Sequence, residues 1–245
     1  MTVASMNAIE IESLTQRYGD ATVLHGIDLT VEQGEIFGFL GHNGAGKTTT
    51  IHVLTTLIPP SSGTARVCEL DVVEERLEVQ RAIGYLPENV RLYDSLTAAE
   101  NLRFFARLSG VEDVPRAIDD TLAILDCREL ADKRVGTFSK GMRQRIGIAQ
   151  AILHRPKVLF LDEPTSGLDP MGVRQLRETI VRLNAELGIT IFMNTHLLSE
   201  VARVCTTIGV LAEGELIYQD SLARTLERFP DEASLEDIYV RLEDR

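Results

Sequence analysis

Residues 41–48 have the sequence GHNGAGKT, which matches the pattern G-x-x-x-x-G-K-[ST] at every fixed position. The run lies between a short apolar segment, residues 36–40, and a segment in which Ile51, Leu54 and Leu57 recur at helical spacing. Glycines let backbone N–H groups turn toward a phosphate, and the start of the following helix adds positive partial charge. The pattern therefore predicts a strand, a phosphate-binding loop and a helix, and with them nucleotide binding.

Two residues of this loop have a predicted chemical role. Lys47 would reach the β- and γ-phosphates as a mobile charge, and Thr48 would offer its hydroxyl to Mg²⁺. His42 occupies a free position of the pattern, so the residues alone give it no role. The alternative is a glycine-rich turn with an exposed lysine, which the agreement of both flanking segments disfavours.

Two more short apolar segments, residues 158–161 and 189–193, lack alternation between apolar and polar residues. Such segments are typical of strands covered on both faces, as in a parallel sheet. Between them, residues 172–187 have apolar positions at helical spacing and are followed by Gly188, a typical helix end. Residues 9–31 instead alternate as half-covered strands do. We therefore expect an α/β core.

The region between about residues 95 and 155 has a helical pattern almost throughout. Thr97 and Glu100 have the spacing of a capping box, ahead of a helix with Leu102, Phe105 and Leu108 on its apolar side. A second helix is expected near Pro115 and a third near Ser139. This region predicts a helical subdomain inserted into the α/β core.

Composition and charge limit the possible functions. The chain has 245 residues, with 25 lysines and arginines against 37 acidic residues, a net charge of −12. This charge disfavours a nucleic-acid partner and docking on anionic lipid. No stretch approaches the roughly 18–20 apolar residues of a membrane span, and the first residues lack the features of an export signal. Three cysteines without a CxxC pair suit a reducing compartment, so we expect a cytoplasmic chain.

Polar side chains follow the later apolar segments at the end where open parallel sheets bind ligands. Asp162 and Glu163 end one segment, and His196 follows the other. Asp162 would hold Mg²⁺, and Glu163 would orient or deprotonate a water for in-line attack on the γ-phosphate. His196 would sense or stabilise γ-phosphate charge. The alternatives are two surface carboxylates and a structural histidine.

With these residues in place, the chain resembles the nucleotide-binding domain of ATP-binding cassette (ABC) transporters, and seven motifs match in order. They are Tyr18, the aromatic that stacks on adenine; Gly41, His42, Asn43, Gly44, Ala45, Gly46, Lys47, Thr48 and Thr49, the Walker A motif; residues 83–88, the Q-loop; residues 138–142, the signature motif; Asp162 and Glu163, the Walker B motif; residues 166–169 with Asp169, the D-loop; and His196, the H-loop. The resemblance implies a P-loop NTPase fold with a mostly parallel core sheet, an N-terminal antiparallel β subdomain and an inserted helical subdomain.

The chain departs from the family pattern at two places. Glu88 stands where the Q-loop normally has glutamine, and a carboxylate there could still ligate Mg²⁺. The signature motif normally reads Leu-Ser-Gly-Gly-Gln, whereas this chain keeps Ser139 and Gly141 but has Phe138, Lys140 and Met142 at the other three positions. Both departures, together with the tail at residues 235–239, resemble the ATPase subunits of bacterial exporters for drugs, ions or polysaccharides.

Ser139 would cap a helix whose free N–H groups form a second anion site, although Walker A already lies at one helix start. Two such helix ends for one terminal phosphate indicate that the second serves a neighbouring molecule. The resemblance implies the same arrangement, in which Ser139, Lys140, Gly141 and Met142 of one subunit contact ATP bound to Walker A of the other. A symmetric pair would then form two composite sites.

The sequence thus predicts an ATPase subunit that binds ATP and Mg²⁺, pairs with a second ATP-binding subunit, and drives a separate transmembrane permease, with export favoured. Glu163, His196 and Lys47 are the predicted catalytic residues; Thr48, Glu88 and Asp162 are the predicted metal ligands. Residues 1–88 and 155–220 would form the catalytic core, residues 89–154 the helical subdomain, and residues 221–245 a helical tail. The alternatives are a soluble ABC-type ATPase without a transport role and a regulatory module that binds ATP without cleaving it.

Overall fold

The first sheet has four strands, all from the N-terminal part of the chain. The structure, a computed structural model, describes residues 6–195 and 197–243. The strands pair antiparallel in the order β2-β1-β4-β5. Their bounds are β1 Asn7–Tyr18, β2 Ala21–Glu32, β4 Ser62–Val67 and β5 Leu70–Asp71. The alternating apolar side chains of residues 9–31 are buried, which confirms the predicted half-covered strands.

A second sheet of six strands forms the centre of the molecule, in the order β10-β9-β3-β8-β7-β6. Its strands are β3 Ile36–Leu40, β6 Ile83–Leu86, β7 Val158–Asp162, β8 Thr190–Asn194, β9 Thr207–Ala212 and β10 Glu215–Ser221. All neighbours except β10 and β9 run parallel. Every residue of β3, β7 and β8 is buried, so the predicted parallel sheet covered on both faces is confirmed.

Helices surround this sheet. They are α1 Lys47–Leu54, α2 Arg76–Ala82, α3 Ala98–Leu108, α4 Val114–Ile124, α5 Lys140–Ile152, α6 Pro170–Leu187, α7 Leu198–Val204, α8 Leu222–Arg228 and α9 Leu235–Glu243. The three helices predicted between residues 95 and 155 are present as α3, α4 and α5, which pack against one another. In the described part of the chain, no helix has the length and apolarity needed to cross a membrane.

Capping explains where these helices begin. The Thr97 hydroxyl accepts from the Glu100 backbone N–H at 3.1 Å and Glu100 accepts from the Thr97 N–H at 2.8 Å, which confirms the predicted capping box. Asp169 accepts from the Gly172 N–H at 2.7 Å, so α6 begins at Pro170, two residues before the predicted start. A capping side chain satisfies an N–H group that has no partner within the helix.

Two residues that the sequence placed on apolar helix sides are exposed. Leu57 is 52% exposed because α1 ends at Leu54 and the chain turns through a left-handed Thr56. Leu108 is 74% exposed at the end of α3. At 3.6 residues per turn, Leu108 lies about 120° around the helix axis from the buried Leu102. The two side chains therefore lie on different faces of α3, and the surface that buries Leu102 does not reach Leu108.

Four phenylalanines form the aromatic centre of the sheet. Phe192 of β8 lies 5.2 Å from Phe37, 5.3 Å from Phe39 and 5.6 Å from Phe160, measured between ring centroids. All four side chains are fully buried. Strands β3, β7 and β8, which carry the site described below, therefore share one packed face.

Replacing Phe192 by alanine should lower the free energy of unfolding by about 3–5 kcal/mol, because the cavity would lie among three rings that cannot collapse into it. Urea unfolding followed by circular dichroism measures this loss. Phe192→Leu is the matched control and should cost less, since it keeps most of the buried volume. A loss below about 1 kcal/mol for the alanine variant would contradict this account of the core.

Candidate functional site

The predicted phosphate loop joins β3 to α1 at the carboxyl end of the central sheet. Its glycines are required by close approach as well as by conformation. A Cβ atom on Gly41 would lie 2.4 Å from the Leu211 carbonyl oxygen, and one on Gly46 would lie 2.6 Å from the Leu24 side chain. Gly46 also has a φ of 110°, which favours glycine. The loop is therefore packed directly against β9 and β2.

Lys47 is held inside this loop. Its ammonium donates to the Gly41 carbonyl at 2.7 Å and to the His42 carbonyl at 3.0 Å, and the residue is 5% exposed. Burial lowers the pKa of Lys47, while the carboxylates of Glu163 and Asp162 raise it. A buried cation that donates to two carbonyl oxygens can exchange them for phosphate oxygens, which carry full negative charge.

Thr48 and Asp162 meet across the two elements that carry them. The Thr48 hydroxyl donates to Asp162 Oδ1 at 3.0 Å. Asp162 ends β7 and is buried, whereas Thr48 lies in the first turn of α1. The structure thus brings together two of the three predicted metal ligands.

These two oxygen-bearing side chains fit a magnesium ion that accompanies a nucleotide. Mg²⁺ usually takes one or two protein oxygens and completes its shell with phosphate oxygens and water. Within the described residues, no group of three or more histidine, cysteine or acidic side chains could hold a metal by itself. The donor set is therefore suited to a metal–nucleotide complex rather than to a closed protein cage.

Glu163 follows Asp162 with an unusual backbone. Its φ is 45°, in the left-handed region that residues other than glycine rarely adopt. Its backbone N–H donates to Asn194 Oδ1 at 2.6 Å. The carboxylate of Glu163 raises the pKa of Lys47, so the predicted base is close enough to the phosphate-loop lysine to act on its charge. His196, the other predicted catalytic residue, lies outside the described residues.

Two polar residues beside Asp162 received no role from the sequence, although one of them, Tyr85, lies within the Q-loop match at residues 83–88. Asn194 of β8 pairs with Asp162 in the sheet, and its Nδ2 donates to Asp162 Oδ1 at 2.6 Å. Tyr85 lies on β6, the other neighbour of β7; burial, and then the carboxylate of Asp162, raise the pKa of its hydroxyl. Only the strand order shows that both residues flank Asp162.

Glu88, the third predicted metal ligand, contacts the D-loop. Its carboxylate accepts from the Ser166 hydroxyl at 3.1 Å. Asp169 of the same loop has a structural partner, since it caps α6 as described above. Tyr18, the predicted adenine-stacking residue, ends β1 beside a turn and is 49% exposed.

The signature residues begin α5. The Ser139 hydroxyl accepts from the Met142 backbone N–H at 3.3 Å, which confirms the expected cap. Ser139 and Lys140 are exposed, and the Lys140 ammonium lies so close to Gly167 that a Cβ there would be 2.7 Å from it. Helix α5 packs against β6, α3 and α4, whereas α1 packs against β2, β4 and β7. The helices α5 and α1 therefore pack against different elements of the molecule.

Comparison with known proteins places this geometry in context. The family model described as ABC transporter matches residues 24–166. The bacitracin transport ATP-binding protein BcrA of Bacillus licheniformis is 43% identical over 211 residues, which cover 86% of this chain and 69% of that protein. A solved ATP-binding subunit of an ABC transporter has a TM-score of 0.85 at 30% identity and covers 96% of this chain and 99% of its own. For cbiO1 of Clostridium perfringens, part of the ABC transporter complex cbiONQ, the TM-score is 0.83 at 28% identity. The match covers 98% of this chain and 95% of that chain.

Proposed function

The chain belongs to the ABC transporter family, in which it is an ATP-hydrolysing, ATP-binding subunit, and we propose that it works as one half of a pair that drives an exporting permease. The observation that carries this proposal is the convergence of Lys47, Thr48, Asp162 and Glu163 at one edge of the sheet. Lysine, hydroxyl and two carboxylates at the end of a parallel sheet are the groups that phosphoryl transfer from ATP requires.

The proposed reaction uses each of these groups once. The loop N–H groups and Lys47 bind the β- and γ-phosphates. Thr48 and Asp162 would hold Mg²⁺, and Glu88 would supply a further carboxylate for it. When bound, Mg²⁺ would offset the charge of the phosphate oxygens. Glu163 orients a water and takes its proton, so that the water oxygen bonds to the γ-phosphorus while the bond to the β–γ bridging oxygen breaks. ADP and phosphate leave, and His196 contacts the γ-phosphate in this scheme.

A second copy of the chain, or a close relative of it, completes each site. Ser139 uses its oxygen to cap α5, which leaves its hydroxyl hydrogen available to a phosphate oxygen from outside. Its exposure, and the separate packing of α5 and α1, support a role toward the partner's ATP. Two-fold symmetry then gives two composite sites, with Tyr18 stacking on adenine and Asp169 at the interface.

The permease is proposed to dock beside the Q-loop. A cavity of about 500 Å³ there is lined by Pro87, Leu92, Tyr93 and Phe105, among other residues. Tyr93 is 50% and Phe104 45% exposed, and their rings meet edge to face at 5.3 Å. Large exposed aromatic side chains around a cavity are typical of a protein-binding surface. A short intracellular helix of a permease fits this surface, which would hold the chain at the cytoplasmic face of the membrane.

Replacing both Tyr93 and Phe104 by alanine should release the chain from membranes that contain its permease. We expect washed membranes from cells that co-express the permease partner to retain at least about fivefold less of the variant than of the wild-type chain, since aromatic anchors dominate such interfaces. ATP hydrolysis by the purified variant should stay within about twofold of the wild-type rate, because neither ring contacts the phosphate loop. Leu226→Ala, an equally exposed position on α8, is the control. Equal retention of the double variant, or retention without the membrane protein, would contradict the proposed docking.

Export of an antibiotic-like compound is the proposed task, and it rests on the likeness to a bacitracin transport protein.

The proposed division into a core, residues 1–88 and 155–220, and a helical subdomain, residues 89–154, agrees with the mutual packing of α3, α4 and α5. The tail, residues 221–245, includes α9, which buries one face against the core through Leu235, Ile238 and Leu242.

A further inference from the structure

Asn194 has an amide side chain that is fully buried at the end of β8. Its Nδ2 donates to Asp162 Oδ1 and its Oδ1 accepts from the Glu163 backbone N–H, each at 2.6 Å. The chemistry of the partners sets the orientation of the amide, because a carboxylate needs a donor and an N–H group needs an acceptor. One side chain therefore contacts two consecutive residues of the site.

The first of these contacts acts on the direction of the Asp162 carboxylate. Two donors, Asn194 Nδ2 and the Thr48 hydroxyl, converge on Oδ1 of Asp162. A carboxylate held at one oxygen by two donors cannot rotate freely, so the direction of Oδ2 is also determined. Loss of the amide would remove one of these two donors.

The second contact acts on the backbone of Glu163. A left-handed glutamate is less stable than an extended one and persists only where its surroundings require it. The hydrogen bond from its N–H to Asn194 holds that peptide group in place. Because the side chain leaves from the same Cα atom, this backbone also determines where the Glu163 carboxylate lies.

We propose that Asn194 is a positioning residue for ATP hydrolysis. Its one buried amide fixes the carboxylate of Asp162 and the backbone of Glu163 relative to each other. The inference rests on the proposed function, in which Asp162 meets Mg²⁺ and Glu163 meets water. A merely structural role would be to join β7 and β8, and the two roles predict different measurements. No motif of the sequence includes this asparagine.

Two substitutions distinguish the two hydrogen bonds of the Asn194 amide, one to Asp162 and one from the Glu163 N–H. Asn194→Leu removes both hydrogen bonds at similar volume, whereas Asn194→Asp keeps an acceptor for the Glu163 N–H but turns an oxygen toward Asp162. We expect kcat to fall at least about tenfold in both variants, because misplaced catalytic groups lose transition-state contacts. The affinity for a fluorescent ATP analogue in EDTA should stay within about twofold of wild type, since no phosphate contact is lost.

A metal-dependent binding ratio is the second measurement. The affinity for the same analogue with Mg²⁺, divided by that in EDTA, should fall at least about fivefold in Asn194→Leu, because Asp162 Oδ1 then loses one of its two donors and the carboxylate can turn away from the metal. Met193→Ala, the neighbouring buried position on β8, is the control for strand packing, and it should change stability without changing this ratio. Asn194→Ser, whose side chain is too short to reach both partners, replaces the leucine variant if that one does not fold.

The outcomes distinguish the inference from the function on which it rests. If the Asn194 variants and Met193→Ala have the same kcat and the same ratio, Asn194 only joins two strands and the inference is wrong, although the ATPase stands. If the wild-type chain binds ATP without hydrolysing it, the proposed function fails. In that case the metal-dependent ratio still tests whether Asn194 positions Asp162, and an unchanged ratio rejects it.

Discussion

Glu163→Gln should reduce steady-state ATP hydrolysis by about 10²–10⁴-fold while ATP binding is retained, because glutamine has the shape of glutamate but cannot accept the proton of the attacking water. In the proposed reaction the phosphate contacts come from the loop and Lys47, whose hydrogen bonds to the Gly41 and His42 carbonyls do not involve the Glu163 carboxylate. Phosphate release by the purified chain with MgATP measures turnover, and a fluorescent ATP analogue measures binding.

Glu178→Gln, at an exposed position of α6, is the control for the loss of one negative charge and should leave turnover unchanged. Turnover within about threefold of wild type in Glu163→Gln would exclude Glu163 as the base, since a general base contributes far more than that. A loss of ATP binding together with turnover would instead indicate that Glu163 supports the phosphate loop.

Much of the fold could be predicted because its central strands are covered on both faces. Residues 36–40, 158–161 and 189–193 contain almost only apolar side chains, and this composition alone distinguishes them from half-exposed strands. Helix ends were harder to predict. Leu57 and Leu108 fit an apolar spacing but are exposed, because the spacing does not show where a helix ends or which neighbour covers it.

The residues of the site also differ in how far the sequence reveals them. Lys47, Thr48, Asp162 and Glu163 lie in contiguous motifs whose chemistry is visible in the sequence, and the structure brings them to one edge. Asn194 is a single polar residue at the end of an apolar strand, and Tyr85 lies within the Q-loop match without a role of its own. Such residues usually satisfy local hydrogen bonds. Only the order β6-β7-β8 and the pairing of Asp162 with Asn194 show that both belong to the site.

Ser139→Glu should abolish ATP-dependent pairing of the chain. If Ser139 meets the γ-phosphate bound to a second copy, a carboxylate at that position faces phosphate oxygens at contact distance, and like charges there should weaken the pair at least about 100-fold. The Glu163→Gln chain is the suitable background, because it should bind ATP without cleaving it and so keep the pair closed. Size-exclusion chromatography with light scattering then reads the mass with and without MgATP.

Ser221 provides a matched control, because its hydroxyl also caps a helix and accepts from the Arg224 backbone N–H at 3.3 Å, the same distance as in the Ser139 cap. Ser221→Glu in the same background should lose its cap but still pair with ATP. If both variants pair, the start of α5 does not meet the partner's nucleotide, and each ATP is enclosed by a single copy. If neither pairs, the defect lies in folding, which thermal unfolding of each monomer would reveal. Loss of pairing in Ser139→Glu alone is the result that the composite site requires, since both variants lose a serine cap at a helix start and gain one negative charge.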